Sequence, residues 1–239
     1  MFFSCVGSDK FKRRYPEEII CQNCSERIEI WTDEIETICP RCEQIVRREF
    51  DTSCLDWCRY AKECVGEKTY NKYIQNKNIT MKERLLKELE EYFGNDKKRI
   101  NHAKNVMRFA EELLKQEKAD WHIVIPVAIL HDVGIKTAEE KYGSNAGHFQ
   151  EKEGPEVARK ILLKLGFQKR DIDEICEIIA HHHLAGIVNT QNFKILYDAD
   201  WLVNLKDEVD TQDKAKLPQI INKIFLTEAG KVLAEKIYL

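Results

Sequence analysis

The chain has 239 residues, 43% hydrophobic and 33% charged, with only 5 prolines and 10 glycines. That balance reads as a soluble, mainly helical protein, large enough to bury a core and to carry one domain plus a small one. The net charge of −3 lays down no basic footprint, so nucleic acid is not expected as an obligatory partner. No uninterrupted apolar run approaches membrane-spanning length, so no membrane partner is expected. The first residues, MFFSCVGSDKFKRR, lack the order of a signal peptide. The expected setting is therefore the reducing cytoplasm, where clustered cysteines bind metal more often than they pair as disulfides.

Eight of the nine cysteines fall within residues 1–64, and this asymmetry draws the boundary of a cysteine-rich module over 1–66. Within it, Cys21-Gln22-Asn23-Cys24 and Cys39-Pro40-Arg41-Cys42 are two Cys-x2-Cys knuckles fourteen residues apart. The intervening ERIEIWTDEIETI alternates apolar and polar residues and predicts a short hairpin between the knuckles. Four thiolates at this spacing match a closed, tetrahedral structural zinc site, similar to zinc-ribbon or rubredoxin-like modules. Cys5, Cys54, Cys58 and Cys64 remain. They are read as a second four-thiolate site for zinc or an iron–sulfur cluster, against the alternative of small buried residues packing the ribbon onto the next helix. Cys176 stands alone as a small core residue.

Residues 67–80 are polar and weakly periodic and are read as a connection, with the helical part of the chain over 81–239. Thr80 has a cap-like hydroxyl with a Glu three residues on, which predicts a helix that Gly94 closes. Over 98–117, His102, Val106, Phe109 and Leu113 share one face, turning His102 inward. Residues 121–132 predict a nearly all-apolar, central helix ending at His131-Asp132 with Gly134 as terminator. Pro155 is read as the start of PEVARKILLKLG. DIDEICEIIAHHH and NFKILYDADWLVNL predict the next helices, and 212–239 a helical pair broken near Thr227.

Imidazoles and carboxylates at inward helical positions need partners, because burying them alone costs several kcal/mol. A shared divalent ion supplies one, and an N/O donor set suits Mn, Fe, Co, Ni or Zn. The ordered set His102, His131-Asp132 and Asp200 resembles the HD superfamily of metal-dependent phosphohydrolases, with Ala199-Asp200-Trp201-Leu202 similar to that family's Ala-Asp-x-Leu element. The resemblance covers about residues 98–206 and implies an all-helical HD bundle behind the ribbon module. It implies that His102, His131, Asp132 and Asp200, rather than Asp198, bind the catalytic metal.

Two-metal members of the superfamily make His148 and His182 candidates for a second ion. His182 follows Ile175, Ile178 and Ile179 onto the core face, whereas His181 and His183 are read as cations at a helix C-terminus. Ile135 stands where some nucleotidase members carry Glu. Lys136 lies one place beyond the lysine of the cyclic-dinucleotide branch, so neither subgroup's substrate carries over. Lys136 is kept as a candidate for meeting a phosphate, against the alternative of a solvated lysine. Asp198 and His182 are guesses for the proton donor.

The resemblance implies hydrolysis of a nucleotide or other small phosphomonoester or phosphodiester by a metal-activated water, with Asp132, Lys136 and His182 as catalytic candidates. The alternatives are a non-catalytic metal-binding sensor or adaptor, and a di-iron oxygenase on the same scaffold.

Overall fold

The computed structural model describes residues 15–21, 23–32, 34, 36–47, 55 and 58–239. The chain divides into two compact units, Met1–Glu83 and Arg84–Leu239. Among the described residues no helix is long and apolar enough to cross a membrane.

The first unit opens with four short strands. β1(Pro16–Ile20) pairs antiparallel with β2(Arg27–Trp31), and β3(Glu36–Ile38) pairs antiparallel with β4(Ile45–Arg47). The expected hairpin between the knuckles is therefore replaced by two hairpins, each closed by a knuckle. ERIEIWTDEIETI does supply strands, β2 and β3, but each takes its partner on the far side of a Cys-x2-Cys turn. Backbone chemistry explains the choice. Cys21 N–H donates to Glu26 O and Ser25 N–H to Cys21 O, while Cys39 N–H donates to Gln44 O and Glu43 N–H to Cys39 O. The residue after each second cysteine takes a left-handed conformation, Ser25 at φ 59 and Glu43 at φ 57. Each knuckle thus makes the tight reversal that a two-stranded ribbon requires. Cys21, Ile28, Cys39 and Val46 form the small core, with Ile19, Cys24 and Cys42 against it.

After the short α1(Ala61–Val65), α2(Glu67–Phe93) runs for 27 residues. Residues 67–80 are therefore helical, and Thr80 lies inside α2 instead of capping a new helix. The second unit continues with α3(Lys97–Leu113), α4(Trp121–Leu130), α5(Gly134–Tyr142), α6(Gly147–Lys164), α7(Lys169–Ile179), α8(Gln191–Glu208), α9(Leu217–Ile224) and α10(Glu228–Tyr238). α4 is the centre: every residue from Ile123 to Leu130 is buried, and the helix packs against α3, α7 and α8. The molecule is mainly helical with a small two-hairpin region at the front.

Three local expectations change. Gly134 does not end a helix in a left-handed turn; it opens α5 after a three-residue turn. A Cβ there would overlap the Gln150 carbonyl oxygen and lie 2.7 Å from Gly154 N, so its absence lets α5 and α6 cross backbone against backbone. Pro155 lies within α6, which starts eight residues earlier at Gly147. α7 ends at Ile179, so His181, His182 and His183 form the turn that follows it.

Candidate metal centre

α3 contributes His102, the turn after α4 contributes His131 and Asp132, and α8 contributes Asp200. Their donor atoms converge. His102 Nε2 lies 3.2 Å from His131 Nε2, 3.1 Å from Asp200 Oδ1 and 3.5 Å from Asp132 Oδ2. His131 Nε2 lies 3.4 Å from Asp132 Oδ2 and 3.6 Å from Asp200 Oδ1. Donors about 2.1 Å from a shared ion stand about 3.0–3.4 Å apart at octahedral or tetrahedral angles, so these separations suit a first-row divalent cation. His131 is buried, whereas the side chains of His102, Asp132 and Asp200 are 21%, 19% and 19% exposed, which leaves the group one open side.

A second group shares one carboxylate with the first. Asp132 turns Oδ2 to His102 and His131, and its Oδ1 lies 3.6 Å from His182 Nε2. Asp132, His182 and His183 together form a second set of donors within 4.8 Å of one another. His182 is 3% exposed, and its Nε2 is buried with no hydrogen-bond partner. A buried, unpaired ring nitrogen costs roughly 1–3 kcal/mol, and an ion facing it removes that cost.

The same device orients both buried rings. His131 Nδ1 is 3.1 Å from Ala128 O, and His182 Nδ1 is 2.8 Å from Ile179 O. In each case the acceptor is a carbonyl three residues back at a helix C-terminus, where carbonyls lack helical donors. With the proton held on Nδ1, each Nε2 presents its lone pair to the site. Asn204, one helical turn beyond Asp200, donates from Nδ2 to Asp200 Oδ1 at 2.9 Å. Its i, i+4 spacing was visible in the sequence, but without the structure nothing distinguished it from any polar residue on α8.

The electrostatics calls for a cation. Burial opposes charge on His131, yet the carboxylates of Asp132 and Asp200 push its pKa up to about 9. Burial would raise Asp132, but His131 and His182 hold it well below the ordinary carboxylate range. Asp200 is likewise held low against burial, chiefly by His102. Two ionised carboxylates at this depth draw positive charge to the His131 ring, and a divalent ion that displaces the Nε2 proton would meet the same pull, at a donor set that fits one.

Other candidates lie elsewhere. Lys136 donates from Nζ to Tyr92 O at 2.8 Å and stands over the Tyr92 ring, so its charge meets the C-terminus of α2. His148 is exposed against Phe149, 4.0 Å between ring centroids, and belongs to neither donor group among the described residues. The reason is the early start of α6, which places position 148 in the helix's first turn. His183, read from sequence as a helix-end cation, takes the place expected of it; its backbone N–H donates to Glu151 Oε1 at 3.2 Å. Asp198 engages the residues that lead into α10. It is fully buried and accepts from Leu226 N, Thr227 N and Thr227 Oγ1 at 2.7, 2.8 and 2.6 Å. Burial pushes its carboxyl up to about 6, against the pull of those donors.

In the first unit Cys21, Cys24, Cys39 and Cys42 form a compact group, with Cys21–Cys42 and Cys24–Cys39 sulfurs each 3.6 Å apart. A tetrahedron with 2.3 Å metal–sulfur bonds has edges of about 3.8 Å, so the four thiols are set for an ion. The Asn23 side chain and the Gln44 backbone N–H draw the Cys42 thiol down to about 6, while, against a backbone hydrogen bond from Glu26, burial and the neighbouring thiols push the Cys24 thiol up to about 12. Of the proposed second cysteine site, Cys5 and Cys54 lie outside the described residues. Cys58 packs on the Leu55, Ala61 and Tyr73 cluster, and Cys64 is a free thiol.

Comparison with known proteins agrees with this geometry. Residues 99–205 match the family model of the HD domain, a span that contains all four donors of the first group and both histidines of the second. A solved structure of a predicted HD superfamily hydrolase from an uncultured Thermotogales bacterium is 28% identical, over 64% of this chain and 83% of that one, with a TM-score of 0.49. None of the curated proteins compared matches the chain. An HD domain implies a divalent metal and supports a metal-dependent hydrolase. Residues 99–205 of the helical part thus match the HD domain, and four clustered cysteines precede them in the chain.

Proposed function

We propose that the chain is a metal-dependent phosphohydrolase acting on a small phosphorylated substrate, a nucleotide or another phosphomonoester or phosphodiester. The observation that carries the reading is the convergence of the donor atoms of His102, His131, Asp132 and Asp200, three of them on partly exposed side chains and one buried. His102, His131, Asp132 and Asp200 would hold the ion, which when bound supplies an activated water and neutralises charge on a phosphoryl oxygen. The chain's own part is orientation. Ala128 O fixes the His131 ring, Asn204 fixes the Asp200 carboxylate, and the burial of His131 keeps bulk water from that side. The four clustered cysteines are read as a structural zinc site, since four thiols close the coordination shell and leave no position for chemistry.

The test is metal content per chain after anaerobic purification, comparing wild type with the His131→Ala/Asp132→Ala double variant, followed by phosphoesterase assays with the retained ion. The expected result is one or more non-ribbon ions in the wild type, lost in the double variant together with all metal-dependent turnover. Equal metal in both proteins after replenishment removes the catalytic reading and favours a non-catalytic adaptor. Two irons without phosphoester turnover favour oxygen chemistry.

A further inference from the structure

The second donor group contains a histidine whose orientation needs its own explanation. His131 and His182 each have Nδ1 tied to a carbonyl of the helix they terminate. His183 sits one residue further along the turn and is exposed, its ring centroid 3.8 Å from that of His182 at a tilt of 38°. Its Nδ1 lies 3.4 Å from Glu151 Oε1, the same oxygen that accepts its backbone N–H. Glu151 is on the first turns of α6, and its side chain is only 12% exposed. Among the described residues, both of the contacts the structure gives this carboxylate are to His183. The largely withdrawn carboxylate thus gives the His183 ring a fixed partner on the α6 side. Gly147, one turn earlier on α6, completes the seat: a Cβ there would stand 3.2 Å from His183 Nδ1 and crowd the ring.

We propose that Glu151 is the positioning residue of a second ion site formed by Asp132, His182 and His183. The carboxylate fixes the His183 ring with Nδ1 toward α6, so that Nε2 is free for the ion. This rests on the reading of the HD domain as a divalent-metal centre. The orphaned Nε2 of His182 is an independent sign that an electrophile belongs there. A carboxylate behind a ligating imidazole also raises that ring's basicity, and such outer partners are typically worth about 10–100-fold in metal affinity. Glu151 thus makes the occupancy of the second site, and not of the first, depend on α6.

The experiment is Mn2+ titration of the full chain, with the ion retained by the cysteines left in place, following free Mn2+ by EPR and bound Mn2+ for the spectrum of a coupled pair. Wild type is expected to bind two Mn2+ and to develop the coupled-pair signal. Glu151→Ala should bind the first with unchanged affinity and the second about 10–100-fold more weakly, with the coupled signal lost at matched concentration. Glu151→Gln, which keeps an oxygen acceptor for the His183 backbone N–H, should recover part of that loss. Wild-type affinity for both ions in Glu151→Ala overturns the proposal, as does a wild type that takes up a single Mn2+. Loss of the first ion in both variants also overturns it, since Glu151 would then support the fold in general. A wild type that binds one ion and hydrolyses phosphoesters defeats this inference alone, whereas one that binds none defeats the metal-centre reading as well.

Discussion

Thr227 shows how much one hydroxyl can hold. Its Oγ1 donates to Asp198 and accepts Gly230 N–H at 2.9 Å, capping α10 while satisfying a buried carboxylate. Thr227→Val keeps the shape but removes the acceptor of Gly230 N–H and one of the three donors to Asp198, so a loss of about 1–3 kcal/mol is expected by denaturant unfolding. The non-ribbon metal should be unchanged, because Asp198 and Asp200, two apart on α8, serve different neighbours. Asp200→Ala should do the reverse, abolishing metal-dependent turnover with the cysteine-bound ion in place. The residue scale is also where the sequence was most legible. His102, His131, Asp132 and Asp200 stood out because each interrupts an apolar helical stretch with a group that needs a partner. His183 and Glu151 did not, because an exposed histidine at a helix end and a glutamate ahead of the helix start read at Pro155 are both ordinary surface choices.

Among the elements, the α5–α6 pair fixes the turn that carries His131 and Asp132. Gly134→Ala pushes a methyl into the Gln150 carbonyl and toward Gly154 N, both backbone atoms of α6 that no rotamer change can move. About 3 kcal/mol of destabilisation is expected, with loss of the non-ribbon metal, since Asp132 lies two residues upstream. Thermal unfolding and metal analysis check both. The same helices are joined at their far side by Glu153, which meets Lys141 Nζ at 2.5 Å and Tyr142 Oη at 2.7 Å. Those donors hold the Glu153 carboxyl below its ordinary value. Its contribution is therefore present above the unfolded glutamate pKa of about 4.3 and is lost as pH falls through the lower folded value. Glu153→Gln should flatten the acid side of the Tm–pH profile and leave the neutral side nearly parallel to wild type. Sequence missed this pair because a proline usually marks a helix start, and here Pro155 is tolerated inside α6. α2 was missed for the opposite reason: a polar stretch with no single apolar face still forms a helix when it continues into one that has a face.

At the scale of the molecule the two units call on different chemistry for stability, a buried helical core in one and four sulfurs in the other. Cys39→Ser should release the ion of the cysteine group while leaving the HD-domain metal and the main calorimetric transition of the helical unit in place. The class of each unit was readable from composition, helical period and the Cys-x2-Cys spacing. Strand pairing was not, because alternation reports which residues form strands and not which strand they face. That pairing has a consequence of its own. Each knuckle closes its own ribbon, so β1–β2 and β3–β4 are two similar halves, linked in the chain by residues 32–35 and meeting in one small core to which Cys21 and Ile28 come from one half and Cys39 and Val46 from the other. Neither half has a core, yet the short joint keeps one pair of thiols near the other at an effective concentration on the order of millimolar. Capture of an ion by the first knuckle is thus followed by closure within the same chain in preference to bridging two chains. Lengthening the joint by a few flexible residues should weaken ion affinity only gradually, as the entropy of a growing loop dictates.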